Sequence, residues 1–130
     1  MRGQAATEML TVISIGLLIV IPLFYITLFN SSQSTSQIIA SETVNKVASS
    51  ADYVYALGNE SSINLNVRIP PEIVSGLVGS KTILLKLRTN AGTTDIFALT
   101  KANVTGTLPT SSGNYLIKLK NINSTINISR

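Results

Sequence analysis

Between Glu8 and Glu42 the chain carries no charged side chain, and the first part of that gap, Met9 to Phe29, is almost purely apolar. This run of 21 residues matches the length of about 20 that a helix needs to cross a bilayer core. No other feature constrains the fold as strongly, because backbone amides in hydrocarbon must be bonded within their own segment, which makes the run a helix. Pro22 lies inside it, where it removes one helical hydrogen bond and is expected to bend the axis without ending the helix. Charged residues are only 12% of the whole chain, about half the share usual for a soluble domain.

Beyond a polar stretch, Asn30 to Ser36, apolar residues return at helical spacing as Ala40, Val44, Val47, Ala51 and Val54. Alternating steps of four and three form a narrow seam that packs on another helix or on a sheet. The polar stretch reads equally as a flexible joint or as a weak piece of continuous helix, since Ser and Thr cost only a few tenths of a kcal/mol each. Gly58-Asn59 is the expected stop, so residues 4–57 read as one long helix.

From Ser61 onward the period changes to two. Ile63, Leu65, Val67 and Ile69 alternate with polar residues until Pro70-Pro71 ends the strand. Lys81 to Thr89 and Thr94 to Thr100, separated by Asn90-Ala91-Gly92, predict a hairpin. Val104 to Leu108 is a weaker strand, Tyr115, Ile117 and Leu119 mark a stronger one, and Ile122 to Ile128 is read as closing the sheet. In Ser75 to Ser80, Gly76 and Gly79 are expected to serve turns between short strands. A sheet this small buries little surface alone, and the helical seam supplies its partner. The expected class is α+β: a long N-terminal helix packed through its C-terminal half on a small antiparallel β-sheet.

The residues present exclude much chemistry. There is no Cys, no His and no Trp, so disulfides, thiolate nucleophiles, imidazole bases and His/Cys metal sites are absent. After the helix the carboxylates are Glu60, Glu72 and Asp95, with nothing in the sequence to pair them, and no nucleophile motif or phosphate loop is present. Neither an enzyme nor a cofactor or metal site is expected. The formal charge is +4, but nine of the ten basic residues lie beyond residue 45 and alternate with apolar ones. That pattern is a solvated sheet face, not the clustered cations and stacking aromatics of a nucleic-acid surface.

The start of the chain has an unusual order. A secretory signal places its cleavage site after the apolar core, whereas here Met1-Arg2-Gly3 is followed by Gln4-Ala5-Ala6-Thr7-Glu8 and only then by the apolar run. Cleavage after Gly3 would leave the hydrophobic segment in the mature chain. Arg2-Gly3-Gln4-Ala5-Ala6-Thr7-Glu8 resembles the class III, type IV prepilin-like signal of archaeal pilins. In that family a membrane-embedded prepilin peptidase cuts after the Gly on the cytoplasmic side, Gln is the first mature residue and Glu the fifth, positions matched here by Gly3, Gln4 and Glu8. The family often has Ser at the third mature position, where this chain has Ala6. The resemblance is strong over the first 30 or so residues and covers the remainder only in outline. A motility-filament subunit, an archaellin, starts similarly, but the Gln4-to-Glu8 pattern fits adhesion-type pilins better.

The resemblance implies a leader at 1–3, a transmembrane and filament-core helix at 4–29, a polar joint and amphipathic helix at 30–58 and a β-rich extracellular domain at 59–130. It implies a structural subunit of a surface filament for adhesion. The implied partners are the membrane, the prepilin peptidase, the pilus assembly platform and other copies or related pilins, with no nucleic acid. The precursor would sit in the cell membrane with its N-terminus cytoplasmic and its sheet outside, which Arg2 at the short end also favours. Residue chemistry alone says that a lone carboxylate at the end of a membrane helix is costly without a partner. Glu8 either pairs with the new amino group on Gln4 of a neighbouring subunit or lies in the headgroup layer beside a helix N-terminus. The alternatives are a signal-anchored monomeric binding protein and a minor pilin or pseudopilin of a secretion or uptake machine.

Five N-x-S/T sequons occur, at Asn30, Asn59, Asn103, Asn123 and Asn127, about twice the number that eleven Asn and thirty Ser/Thr in 130 residues give by chance. Asn30 adjoins the apolar run and is the poorest acceptor. Asn59, Asn103, Asn123 and Asn127 are the candidate glycosylation sites.

Overall fold

The computed structural model describes residues 2–130. One helix, α1 (Arg2–Leu57), is followed by seven strands: β1 (Ser62–Ile69), β2 (Ile73–Gly79), β3 (Thr82–Thr89), β4 (Gly92–Leu99), β5 (Asn103–Gly106), β6 (Gly113–Ile122) and β7 (Thr125–Ser129). The layout is α+β, as expected. By contacts the chain divides into two compact units, Met1–Ser34 and Thr35–Arg130. Each is described by itself.

In the first unit the chain is helical throughout its described residues, the polar positions included, and Pro22 does not end the helix. Proline costs one hydrogen bond, and the turns on either side carry the helix past it. The hydroxyls inside the apolar run are satisfied within the helix itself. Thr11 donates to the Thr7 carbonyl (2.9 Å), Ser14 to Leu10 (2.8 Å) and Thr27 to Leu23 (2.9 Å). A polar group bonded in this way needs no water.

In the second unit the apolar seam of α1 forms the core with the strands. Ala40, Val44, Val47, Ala51 and Val54 are each 0% exposed, and they cluster with Val67, Ile83, Leu85, Leu87, Ile117, Leu119, Ile126 and Ile128. The helix ends where the sequence places its stop. Gly58 has φ 99°, and its N–H donates to the Tyr55 carbonyl (3.2 Å). The Ser61 hydroxyl lies 2.8 Å from the Val54 carbonyl and 2.6 Å from that of Gly58. Asn121 Nδ2 also donates to the Gly58 carbonyl at 2.9 Å. Carbonyls that the last turn cannot bond internally are thus covered by side chains from the next elements.

The single antiparallel sheet expected from sequence is instead two sheets. Four strands are ordered β1-β6-β7-β5 and three are ordered β2-β3-β4, and β5 runs parallel to β7. All other ladders are antiparallel. The β3–β4 hairpin forms about Asn90-Ala91 as expected. The expectation for Gly76 and Gly79 is corrected, since both lie in β2. A Cβ on Gly76 would stand 3.1 Å from Cβ of Leu108 and 3.3 Å from Cδ2 of Leu85. Gly76 therefore admits a close neighbour and makes no turn. The expected strand at 104–108 is Asn103–Gly106. The expected strand at 122–128 is broken by a two-residue turn at Asn123 (φ 50°) and Ser124 (φ 64°), a geometry that suits Asn and matches strand twist.

Candidate functional site

Of the leader, Arg2 and Gly3 lie with Glu8 in the opening turns of α1, and Met1 is outside the described residues. Gly3, Gln4 and Glu8 are helical and exposed. A side chain added at Gly3 would meet nothing within 4 Å, so the fold of this chain does not require a glycine there. The Thr7 hydroxyl donates to the Gly3 carbonyl at 2.7 Å. Among the described residues the ion pairs are Lys86–Asp95 (3.6 Å) and Lys120–Glu60 (3.0 Å), and neither involves Glu8.

Next comes the apolar surface. Large apolar side chains from Met9 to Phe29 are about half to three-quarters exposed, and the most apolar window of the helix is 0% buried. By length and composition α1 is able to cross a membrane. Tyr25 and Phe29 stack along it with ring centroids 6.2 Å apart. An apolar surface of this extent in water is far beyond what a soluble monomer carries. Such surfaces in known proteins mark contacts with membranes or with other proteins.

The candidate glycosylation residues gather on the four-stranded sheet. Parallel pairing of β5 and β7 sets Asn103 beside Thr125 and Thr105 beside Asn127. All four positions alternate with the buried Val104, Ile126 and Ile128. Asn123 is exposed in the β6–β7 turn, and its N–H donates to Oδ1 of the exposed Asn59 at 2.9 Å. Sequence spacing alone gives no reason for either pairing: the parallel ladder sets the Asn103 and Asn127 sequons on adjacent strands, and the β6–β7 turn brings Asn123 to Asn59.

A polar hollow of about 320 Å³ lies between α1 and β1, lined by Glu42, Thr43, Lys46, Asn66, Arg68 and Asn114 among others. Its charges are mixed, and two of its polar groups are already engaged: Lys46 Nζ donates to the Asn66 carbonyl (2.8 Å) and the Thr43 hydroxyl to that of Arg68 (2.5 Å). Among the described residues no group of three His, Cys, Asp or Glu is placed to hold a metal ion.

The two sheets differ in their outer faces, which the sequence reading missed. The four-stranded sheet presents Ser62, Asn64, Asn66, Lys118, Lys120 and Asn127 with Leu116 among them, whereas the three-stranded sheet presents Leu77, Leu84, Phe97 and Leu99 beside Lys86, Arg88 and Asp95. The signal was the doubly apolar text of β3 and β4, where Leu84, Phe97 and Leu99 fall on the polar phase of the alternation. Comparison with protein-family models, curated proteins and solved structures gives no match.

Proposed function

We propose that the chain is a structural subunit of a type IV pilus-like surface filament, cut by a prepilin peptidase between Gly3 and Gln4 and assembled through its N-terminal helix for adhesion. The observation that carries this reading is the order of parts: Arg2-Gly3-Gln4 stands directly before a charge-free helix whose apolar side chains are exposed throughout. Cleavage at that point keeps the helix in the product. An uncovered apolar helix has two stable surroundings, a bilayer before assembly and a bundle of like helices after it. Movement from one to the other needs no change of fold.

Glu8 is the fifth residue of the cut chain and the only charged side chain among its first 38 residues. Paired with the amino group of Gln4 on a neighbour, it sets axial register more than it adds stability, because desolvation offsets much of the attraction. The exposed Asn59, Asn103, Asn123 and Asn127 are offered as glycan acceptors on the outward domain.

The test is the N-terminus and mass of the chain recovered from a sheared cell-surface fraction of its native host. A start at Gln4 in filamentous material supports the pilin reading, and excess mass reports glycans. A start at Met1 confined to membranes overturns it in favour of an anchored binding protein.

A further inference from the structure

A strand at a sheet edge presents a row of backbone N–H and C=O groups, and folded proteins pair, cover or charge that row. The two sheets here have four edges, formed by β1, β5, β2 and β4. Two of them meet each other, and a third, β1, is covered over its C-terminal half. The Asn66 and Arg68 carbonyls of β1 accept from Lys46 and Thr43 of α1. The edges of β5 and β2 meet each other: the Val104 N–H donates to the Ser80 carbonyl at 2.7 Å, and Leu108 lies against Gly76.

The fourth edge, β4, is bare. The Thr100 N–H donates to the Lys81 carbonyl at 2.9 Å, which makes these two a bonded pair in line with the β3–β4 register. Bonded pairs alternate along an antiparallel ladder, so the N–H and C=O groups of Thr93, Asp95, Phe97 and Leu99 point away from β3. Among the described residues no hydrogen bond reaches them. The strand has eight residues without Pro, Lys or a bulge. Its own charge, Asp95, is taken up by Lys86 at 3.6 Å.

The side chains beside this edge are apolar where water would favour polar ones. Phe97 is 60% exposed and Leu99 68%, and Leu84 and Leu77 continue the row from Phe97 across the ladder. Such an edge lacks the features that prevent strand addition.

We propose that β4 is a strand-addition site for a second copy of this chain, joined antiparallel, β4 to β4. Self-complementarity identifies the occupant. Asp95 opposite Asp95 is disfavoured because like charges repel across a ladder. One register sets Phe97 against Leu99 of the second copy, a contact that two-fold symmetry makes twice. The same register brings Asp95 towards Lys101 of the second copy, just beyond its β4. Apolar groups then meet apolar groups, acid side chain meets base, and the bare N–H and C=O groups of Phe97 and Leu99 are paired, the ladder ending at Lys101, whose own N–H is held by Asp52 Oδ1 at 2.7 Å. The proposal does not rest on the filament reading, since it holds for a membrane-anchored chain as well.

The chain has no cysteine, so introduced thiols report position directly. Full-length chain carrying Phe97→Cys is mixed in detergent micelles with chain carrying Leu99→Cys, and covalent dimer is measured after mild oxidation. A mixture of Leu116→Cys and Lys118→Cys chains, whose sites lie two residues apart on the other sheet's outer face, reports the dimer formed by shared micelles alone. The expected result is several-fold more dimer from the first mixture. Adding Asp95→Lys to both chains is expected to lower that yield about tenfold, and adding Lys101→Asp as well is expected to restore it. Equal yields from both mixtures overturn the proposal, as does a charge reversal without effect or one that the swap fails to rescue.

Discussion

At Gly106 the fold leaves no room for a side chain. Its φ is 123°, and a Cβ there would stand 2.0 Å from the Ile128 carbonyl oxygen. Left-handed strain costs about 1–3 kcal/mol by itself, and displacing the β7 backbone adds to it. Gly106→Ala is therefore expected to lower the unfolding free energy by about 3 kcal/mol or more, read from denaturant melts of the detergent-solubilised chain. Gly79→Ala is the comparison, because its Cβ meets nothing within 4 Å and its φ is ordinary. A change of less than about 1 kcal/mol is expected there. Sequence reading attended to Gly76 and Gly79 and passed over Gly106, for a physical reason: the demand on Gly106 comes from β7, a neighbour set by the parallel ladder and not by local spacing. At the N-terminus the situation is reversed, since Gly3 has open space around it and any demand comes from a processing enzyme. Gly3→Val is expected to leave the fold intact and block cutting. Glu8→Ala is expected to give a processed, membrane-held subunit that assembles poorly. Normal filaments from a Glu8→Ala strain would sink the register argument.

The elements were legible to different degrees because periodicity reports faces and not neighbours. The seam of α1 was readable residue by residue, since spacing of four and three specifies one side of a helix whatever packs there. Strand alternation likewise marked Ile63 to Ile69 and Tyr115 to Leu119 correctly. It carried no information on which strand lies beside which, so the division into two sheets and the parallel pairing of β5 with β7 were not visible. Period two also leaves a strand's edge silent, and thus the bare row on β4 emerged only from the hydrogen-bond pattern. The seam makes its own prediction. Ala51 is 0% exposed and Ser49, two residues away, is exposed. Ala51→Leu adds volume to a filled core and is expected to cost about 1–3 kcal/mol. Ser49→Leu is expected to stay within about 0.5 kcal/mol of the unaltered chain. Equal effects in thermal melts would show that the helix does not pack through this seam.

Across the whole molecule, one helix carries two kinds of surface, an exposed apolar run and a buried seam. Its C-terminal part contributes to the core, whose first member is Ala40, while Met9 to Phe29 supplies no member of that core and carries exposed apolar side chains along its length. The compact units divide at Ser34 and Thr35, between the two regions. Stability of the unit 35–130 and the surroundings of the apolar run are therefore separable properties. A chain lacking residues 1–29 is expected to stay folded in water without detergent. Its melting temperature should fall within about 4–8 °C of the full-length chain in micelles, the shift that about 1 kcal/mol makes in a domain of this size. The basis is that every residue of the hydrophobic core is retained and the helix end at Gly58, Ser61 and Asn121 is untouched. Far-ultraviolet circular dichroism with sedimentation in plain buffer decides the matter. A fragment that precipitates or shows no cooperative melt would mean that the β-rich unit depends on the apolar segment, and the reading of that segment as a part devoted to membrane and assembly would fall with it.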